Sequence, residues 1–159
     1  MNMDTSKLTK YEMAQMINAL SQDPIWGVYT RAAVEILWNE LTSEAVAIAY
    51  CDIDHMHDLN SKYGHKGTDE KIKQVIHAVR NNDIVASRWL NGDELIFILK
   101  SGDPKNFCIR IMEEFSKVGI SCTFSYSSWI FDNAQDTINP MDAKVQNSKN
   151  AGVRGVIVE

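Results

Sequence analysis

Tyr50-Cys51-Asp52-Ile53-Asp54-His55-Met56-His57-Asp58-Leu59-Asn60 is the stretch where an apolar run turns abruptly acidic. The run before it, Ala45 to Cys51, is uncharged and holds Val and Ile, which is the composition of a buried strand. Asp52 and Asp54 then place negative charge at the rim of a sheet. Charge in such a position is costly unless something neutralises it. A hard divalent cation does so, because it takes carboxylate oxygens together with the oxygens of a bound phosphate. Asp-x-Asp after a strand is also the mark of a solvated turn. What adds weight to the metal reading is a second acidic turn, Asn91-Gly92-Asp93-Glu94-Leu95, between two further apolar runs. That turn has its own plainer reading, since Asn-Gly is a common hairpin turn and Asp93-Glu94 could be exposed charge.

Working outward, residues from about Ser6 to Leu20 carry a helical stripe of Leu8, Tyr11, Met16, Ile17 and Leu20. It could pack on the domain or pair with a second copy. Asp23-Pro24 interrupts it, Ile25 to Thr30 is extended, and a helix is expected over Arg31 to Leu41. After the first strand, Ala45 to Asp52, a short helix from Met56 to Tyr63 stops at Tyr63-Gly64-His65. A longer helix follows over Thr68 to Asn81, with Ile72, Val75, Ile76 and Val79 on one face. Asp83 to Trp89 and Glu94 to Lys100 are strands joined by the Asn91-Gly92 turn. Pro104 opens a helix to Gly119. Ser121 to Trp129 is a strand, Asn139-Pro140 begins a helix to Asn150, and Gly155 to Val158 is a final short strand.

From Ala45 the order is strand, helix, strand, strand, helix, strand. This βαββαβ pattern predicts an α/β (α+β) fold with a ferredoxin-like, mostly antiparallel sheet flanked by helices and preceded by an N-terminal helix. In it the first and third strands are antiparallel neighbours, so Asp52 and Asp93 should meet at one edge of the sheet. Two or three carboxylates there suit a two-metal centre, with cations about 4 Å apart clamping the attacking and leaving oxygens of a phosphoryl displacement. Gly92 would let the backbone approach a phosphate. His55 and His57 form His-x-His, but no third His or Cys lies nearby to complete a zinc set. His77 falls on the long helix as an exposed or half-buried residue.

Composition narrows the classes. The chain has 159 residues, 45% hydrophobic and 23% charged, with a net charge of −5. One domain is the expectation, with residues 1–20 as a helical lead and 21–159 as the folded unit. The negative balance and the lack of a basic run argue against a nucleic-acid polymer as partner. No apolar stretch approaches the roughly 20 residues of a membrane helix, and the polar N-terminus is no signal peptide. Cys51, Cys108 and Cys122 are too few and too scattered for a disulfide framework, which predicts a reducing, cytoplasmic setting.

The motifs resemble those of GGDEF domains, the diguanylate cyclases that share the palm fold of nucleotide polymerases. Asp23-Pro24-Ile25-Trp26-Gly27-Val28-Tyr29-Thr30-Arg31 is similar to the family's D-x-L-T-G-L-x-N-R. Asp52 through Asn60, with Tyr63-Gly64-His65 and Asp69, resembles D-I-D-H-F-K-x-I-N-D-x-Y-G-H-x-x-G-D. Asn91-Gly92-Asp93-Glu94-Leu95 stands where G-G-D-E-F belongs, and Lys149-Asn150-Ala151-Gly152 with Arg154 looks like the closing A-K-x-x-G-R. The resemblance implies that Asp52, Asp93 and the Ile53 carbonyl bind metal, two Mg²⁺ or Mn²⁺ per site. Glu94 would support the second metal or the activated hydroxyl. Asn60 and Asp69 would read the guanine edge. The backbone at His55, Met56 and His57 would cradle the terminal phosphates, and Lys149 and Arg154 would neutralise them.

The implied reaction condenses two nucleoside triphosphates into a cyclic dinucleotide second messenger, cyclic di-GMP from GTP above all, in a homodimer that can be transient. The departures from the family pattern are Asn91, Leu95, Met56, His57, Thr68 and an Asp83-to-Gly92 segment two residues longer than usual, which predicts a bulge or a wider turn. Arg80-Asn81-Asn82-Asp83 matches the family's R-x-x-D product site, but its spacing to the signature is off, so feedback inhibition is not expected. With no sensor domain ahead of it, the unit also resembles the minimal cyclases related to CRISPR polymerases, which make cyclic di- or oligonucleotides in anti-phage signalling, some from ATP. A decayed, nucleotide-holding GGDEF module is the remaining alternative.

Overall fold

The computed structural model describes residue 4 and residues 6–89 and 92–159. Asn91, the first residue of the acidic signature, lies outside the described residues. The elements are α1 (Lys10–Ser21), α2 (Arg31–Ile36), α3 (Trp38–Thr42), β1 (Ala47–Ile53), α4 (Met56–Val79), β2 (Ile84–Trp89), β3 (Glu94–Leu99), α5 (Pro104–Lys117), β4 (Cys122–Ser127), α6 (Ala134–Asn150) and β5 (Ile157–Val158). They form one five-stranded sheet of order β2-β3-β1-β4-β5, antiparallel except for β4 with β5. The βαββαβ reading holds, and β1 lies between β3 and β4.

β1 is buried at every position because helices cover both faces of the sheet, which is why its apolar run is nearly continuous. Ala47, Ala49, Cys51 and Ile53 join Leu95, Phe97 and Leu99 of β3 in the core with Ile72, Val75, Ile76 and Val79 of α4 and Ile111 and Phe115 of α5. Ile48 and Tyr50 face the other core, with Val34, Trp38, Ile138, Met141 and Val145 of α2, α3 and α6. Pairing alternates with a period of two, so Asp52 and Asp54 fall on the face of Ile48 and Tyr50, toward α6. The exposed edge of β2 is covered by the segment before α2: the Tyr29 N–H donates to the Ala86 carbonyl at 3.0 Å, and the Arg88 N–H donates to the Tyr29 carbonyl at 3.0 Å.

Several boundaries differ from the sequence expectations. α1 starts at Lys10, not Ser6, because Thr9 and Glu12 close a capping box there. Of its stripe, Tyr11, Ile17 and Leu20 are exposed, and Leu8 and Met16 are half-buried. The single helix expected over Arg31 to Leu41 is broken at Leu37, whose φ of −97° and ψ of 14° leave the helical region. The two helices expected after β1 abut directly at Gly64, where φ is 75° and ψ 162°, with no intervening turn. α6 begins at Ala134, five residues before Asn139, because Asn133 caps it through the Asp136 N–H. Pro140 therefore sits inside the helix, where burial of Ala134, Thr137, Ile138, Met141 and Val145 outweighs its missing hydrogen bond. β2 pairs with β3 in unbroken register from Ile84↔Leu99 to Trp89↔Glu94, so it carries no bulge. The three cysteines are free and buried. Among the described residues no helix is long and apolar enough to cross a membrane.

Candidate functional site

The two acidic turns meet. Asp52, near the end of β1, is the register partner of Glu94 at the start of β3, and the Ile53 N–H donates to the Asp93 carbonyl at 2.9 Å. Asp52 and Glu94 are buried and Asp93 is half-buried. Burial raises the pKa of Asp52, against the attraction of Lys149 and the hydrogen bond from Gln146. Burial raises that of Asp93 as well, and the negative charge of Asp52 adds to it.

α6 runs across this face and supplies a cation. Lys149 Nζ lies 3.1 Å from Asp52 Oδ1, 2.9 Å from Asp54 Oδ1 and 3.5 Å from the Ile53 carbonyl oxygen. Gln146, one turn earlier, donates to Asp52 Oδ2 at 2.7 Å. One turn earlier again, Asp142 accepts from the Tyr50 hydroxyl at 2.7 Å and from Gln146 at 3.3 Å. Burial pushes the Tyr50 hydroxyl far above its ordinary pKa, so Tyr50 stays a donor. Asp54 is fully shielded and saturated: Thr123 and Lys149 reach Oδ1, while Ser121 and the Gly155 N–H reach Oδ2. Burial works to raise its pKa, but the hydrogen bonds from Lys149, Ser121 and Thr123 win and the net shift is downward. Lys149 is held upward against its own burial by Asp54 and Asp52. Asp54 is thus an anchor that ties β1, β4, α6 and the final turn together at the site.

The turn that carries Asp93 is clamped from behind. Arg88 of β2 donates to Asp23 Oδ2 at 3.1 Å and to the Gly92 carbonyl at 3.2 Å, with its guanidinium 3.8 Å from the centre of the Trp26 ring. Gly92 has φ +91°, and a Cβ there would lie 2.7 Å from Arg88 Nη2. Only glycine fits that approach. Trp26, fully buried, donates its indole N–H to Asp69 Oδ1 at 3.1 Å. The D-x-L-T-G-like stretch is therefore not a surface motif but the backing of both the acidic turn and Asp69.

The other expected residues fall as follows. His55 caps α4 with φ 53°, a left-handed conformation that is strained for a side-chain-bearing residue. Met56 and His57 form the first turn of α4, which thus starts at the acidic rim, and Asn60 is half-buried on the same segment. Arg154 is exposed and precedes Gly155, the residue bonded to Asp54. Arg80 and Asp83 bond to different partners: Arg80 donates to the Gly27 carbonyl at 2.6 Å, and Asp83 accepts from the Ser101 hydroxyl at 3.1 Å. Asp54, read from the sequence as half of the acidic pair at the rim, is held by protein groups on both oxygens, while Gln146, Arg88 and Trp26 are not among the site residues the sequence points to. Gln146 had a signal, being three residues before Lys149 on one helical face.

The Asp52 and Asp93 carboxylates and the Ile53 carbonyl are hard oxygen donors. This set fits a hard divalent cation whose shell is completed by water or phosphate oxygens. Among the described residues, no group of three or more His, Cys, Asp or Glu side chains is spaced to hold a metal by itself.

A βαββαβ domain with an acidic centre where its first strand meets the central hairpin is the class that fold and site define. The model of the family "Diguanylate cyclase, GGDEF domain" matches residues 23–153, and the chain belongs to that family. Solved structures share the fold. The coiled coil and GGDEF domain of DgcB from Caulobacter crescentus, in complex with c-di-GMP, is 18% identical with a TM-score of 0.71, covering 94% of this chain and 90% of that one. The GGDEF domain of FimX from Pseudomonas aeruginosa is 18% identical with a TM-score of 0.63, covering 86% and 98%. A microbial GGDEF domain described with cyclic di-GMP is 15% identical with a TM-score of 0.71, covering 87% and 98%. No curated protein matches the chain.

Proposed function

We propose that the chain condenses two nucleoside triphosphates into a cyclic dinucleotide with release of pyrophosphate, and that the substrate is GTP and the product cyclic di-GMP. The observation that carries this reading is the meeting of Asp52, the Ile53 carbonyl, Asp93 and Glu94 at one sheet edge with Lys149 beside them. Family membership and the family's ordinary use of Mg²⁺ or Mn²⁺ support it. Asp52, Ile53 and Asp93 would hold the divalent cations. When bound, these lower the pKa of the attacking 3′-hydroxyl and neutralise the departing pyrophosphate. The chain's own groups do the rest. The start of α4 at His55, Met56 and His57 offers backbone N–H groups to the phosphates. Lys149 and Arg154 add positive charge. Asn60 and Asp69, at the family's guanine-reading positions, favour GTP over ATP, with Asp69 oriented by Trp26. Gly92 and Arg88 keep Asp93 in place, and Glu94 orients the hydroxyl.

Each triphosphate must present its 3′-hydroxyl to the other, so two copies face each other, and residues 21–159 form the reacting unit. α1 leaves Tyr11, Ile17 and Leu20 exposed, an apolar face on which two copies can pair. The test is incubation of purified protein with Mg²⁺ and each triphosphate in turn, with products identified by mass. Cyclic di-GMP from GTP is expected. A cyclic product from ATP alone moves the protein to the CRISPR-polymerase-like reading. Nucleotide binding without any product makes it a decayed module.

A further inference from the structure

The acidic centre is already filled by a cation of the chain. Asp52 Oδ1 is taken by Lys149, Asp52 Oδ2 by Gln146, and the Ile53 carbonyl also lies within reach of the Lys149 ammonium. The Lys149 side chain is only 10% exposed, and it is the basic side chain paired with these oxygens among the described residues. Three oxygens from two strand residues and a third, Asp54, thus converge on one Nζ, as they would on a metal.

We propose that Lys149 is the resident counter-cation of this centre, and that a divalent cation gains the Asp52 carboxylate and Ile53 carbonyl by exchange with its ammonium. The inference rests on the proposed metal site and deepens it. Two cations cannot share Asp52 Oδ1 and the Ile53 carbonyl at contact distance without strong repulsion in a half-buried site. Asp54 keeps Ser121, Thr123 and the Gly155 N–H when the ammonium leaves, so the fold has no need to open. Gln146 keeps Asp52 in place from its other oxygen. The released ammonium is then the group that meets the substrate's phosphates. Metal arrival and phosphate capture become one linked step, and the metal-free site avoids an uncompensated acidic cluster. The consequence is weak metal binding to the nucleotide-free protein, because the metal must first displace a charge that is already paired.

Two measurements on the full chain test this without reading turnover. First, lysine acylation by a succinimidyl ester is followed by peptide mass with and without saturating Mg²⁺, with Lys144 as the exposed internal standard. Acylation of Lys149 should be slow without metal and rise several-fold with it, while Lys144 stays unchanged. Second, Mn²⁺ binding is measured by electron paramagnetic resonance on the nucleotide-free wild type, Lys149→Met and Lys144→Gln. Lys149→Met should bind about tenfold tighter. Lys144→Gln, which removes the same charge from the same helix, should change affinity much less. Mn²⁺ binding no tighter in folded Lys149→Met than in Lys144→Gln overturns the exchange. So does wild-type metal binding that leaves Lys149 protected, and that measurement decides the matter if Lys149→Met does not fold. Either failure alongside normal cyclic di-GMP production refutes the exchange and leaves the cyclase reading standing. Exchange without any product refutes the cyclase reading alone.

Discussion

Gly92→Ala should be among the most damaging single-methyl additions in this protein. Gly92 has φ +91°, a region that an alanine enters at about 1–2 kcal/mol. The added Cβ would also lie 2.7 Å from Arg88 Nη2 and 3.3 Å from Cζ, so the guanidinium must give way. Arg88 has little room to do so, being stacked on Trp26 and bonded to Asp23 and the Gly92 carbonyl. Loss of one such charge-assisted hydrogen bond is worth about 1.5–3 kcal/mol. A total of about 3 kcal/mol follows, or a fall in Tm of about 6–12 °C for a domain of this size. Urea unfolding and calorimetry measure it. Turnover should fall as well at temperatures where the variant is folded, because the displaced turn carries Asp93. A double-mutant cycle isolates the cause: with Arg88→Ala in the background, the steric part disappears and only the φ penalty remains, so the two costs are not additive. A cost below about 1 kcal/mol, or strict additivity with Arg88→Ala, would refute the clamp.

Asp93→Asn should abolish product formation while leaving the fold intact, and should make the metal-free protein more stable at neutral pH. The folded state raises the Asp93 pKa, so ionised Asp93 costs stability above that folded value, and the cost fades as pH falls through it toward the unfolded value of 3.8. The stability advantage of the variant should therefore shrink on acidification, and an Asp93→Asn protein that is less stable at pH 7 or still makes product contradicts the assignment. Trp26→Phe keeps a ring under Arg88 but loses the N–H to Asp69, so steady-state kinetics should show a several-fold rise in KM for GTP at little-changed kcat, with about 1 kcal/mol of stability lost. An unchanged KM would remove Trp26 from nucleotide recognition. Specific activity should climb with protein concentration until α1-linked pairing saturates, and a flat dilution series from a monomer would point instead to a site that binds both nucleotides in one chain.

Much of the fold was legible in the chain because its signals are local. The uninterrupted apolar run of β1 reads as a strand covered on both faces, and the stripes of α4 and α5 read as helices. The order of these elements leaves few topologies, and the ferredoxin-like one brings the end of β1 beside the Asp93-Glu94 turn, with Asp52 opposite Glu94 and Ile53 bonded to Asp93. The misplaced start of α6 has a local cause too: Pro140 looked like a first-turn proline, and the cap at Asn133 carried no stronger mark than its neighbours. The rest of the site was not local. Arg88 reaches Asp23 across 65 residues, Trp26 reaches Asp69 across 43, and Gln146 reaches Asp52 across 94. Lys149 read in sequence as a cation for phosphates. Its seat on Asp52, Asp54 and the Ile53 carbonyl depends on the angle at which α6 crosses β1 and on the parity that turns both aspartates to that face. Sequence alone therefore determined which charges exist and which sheet edge gathers them. Tertiary structure alone decided which of them are already paired, because electrostatic contact falls off over a few ångströms and is set by packing that no residue encodes by itself.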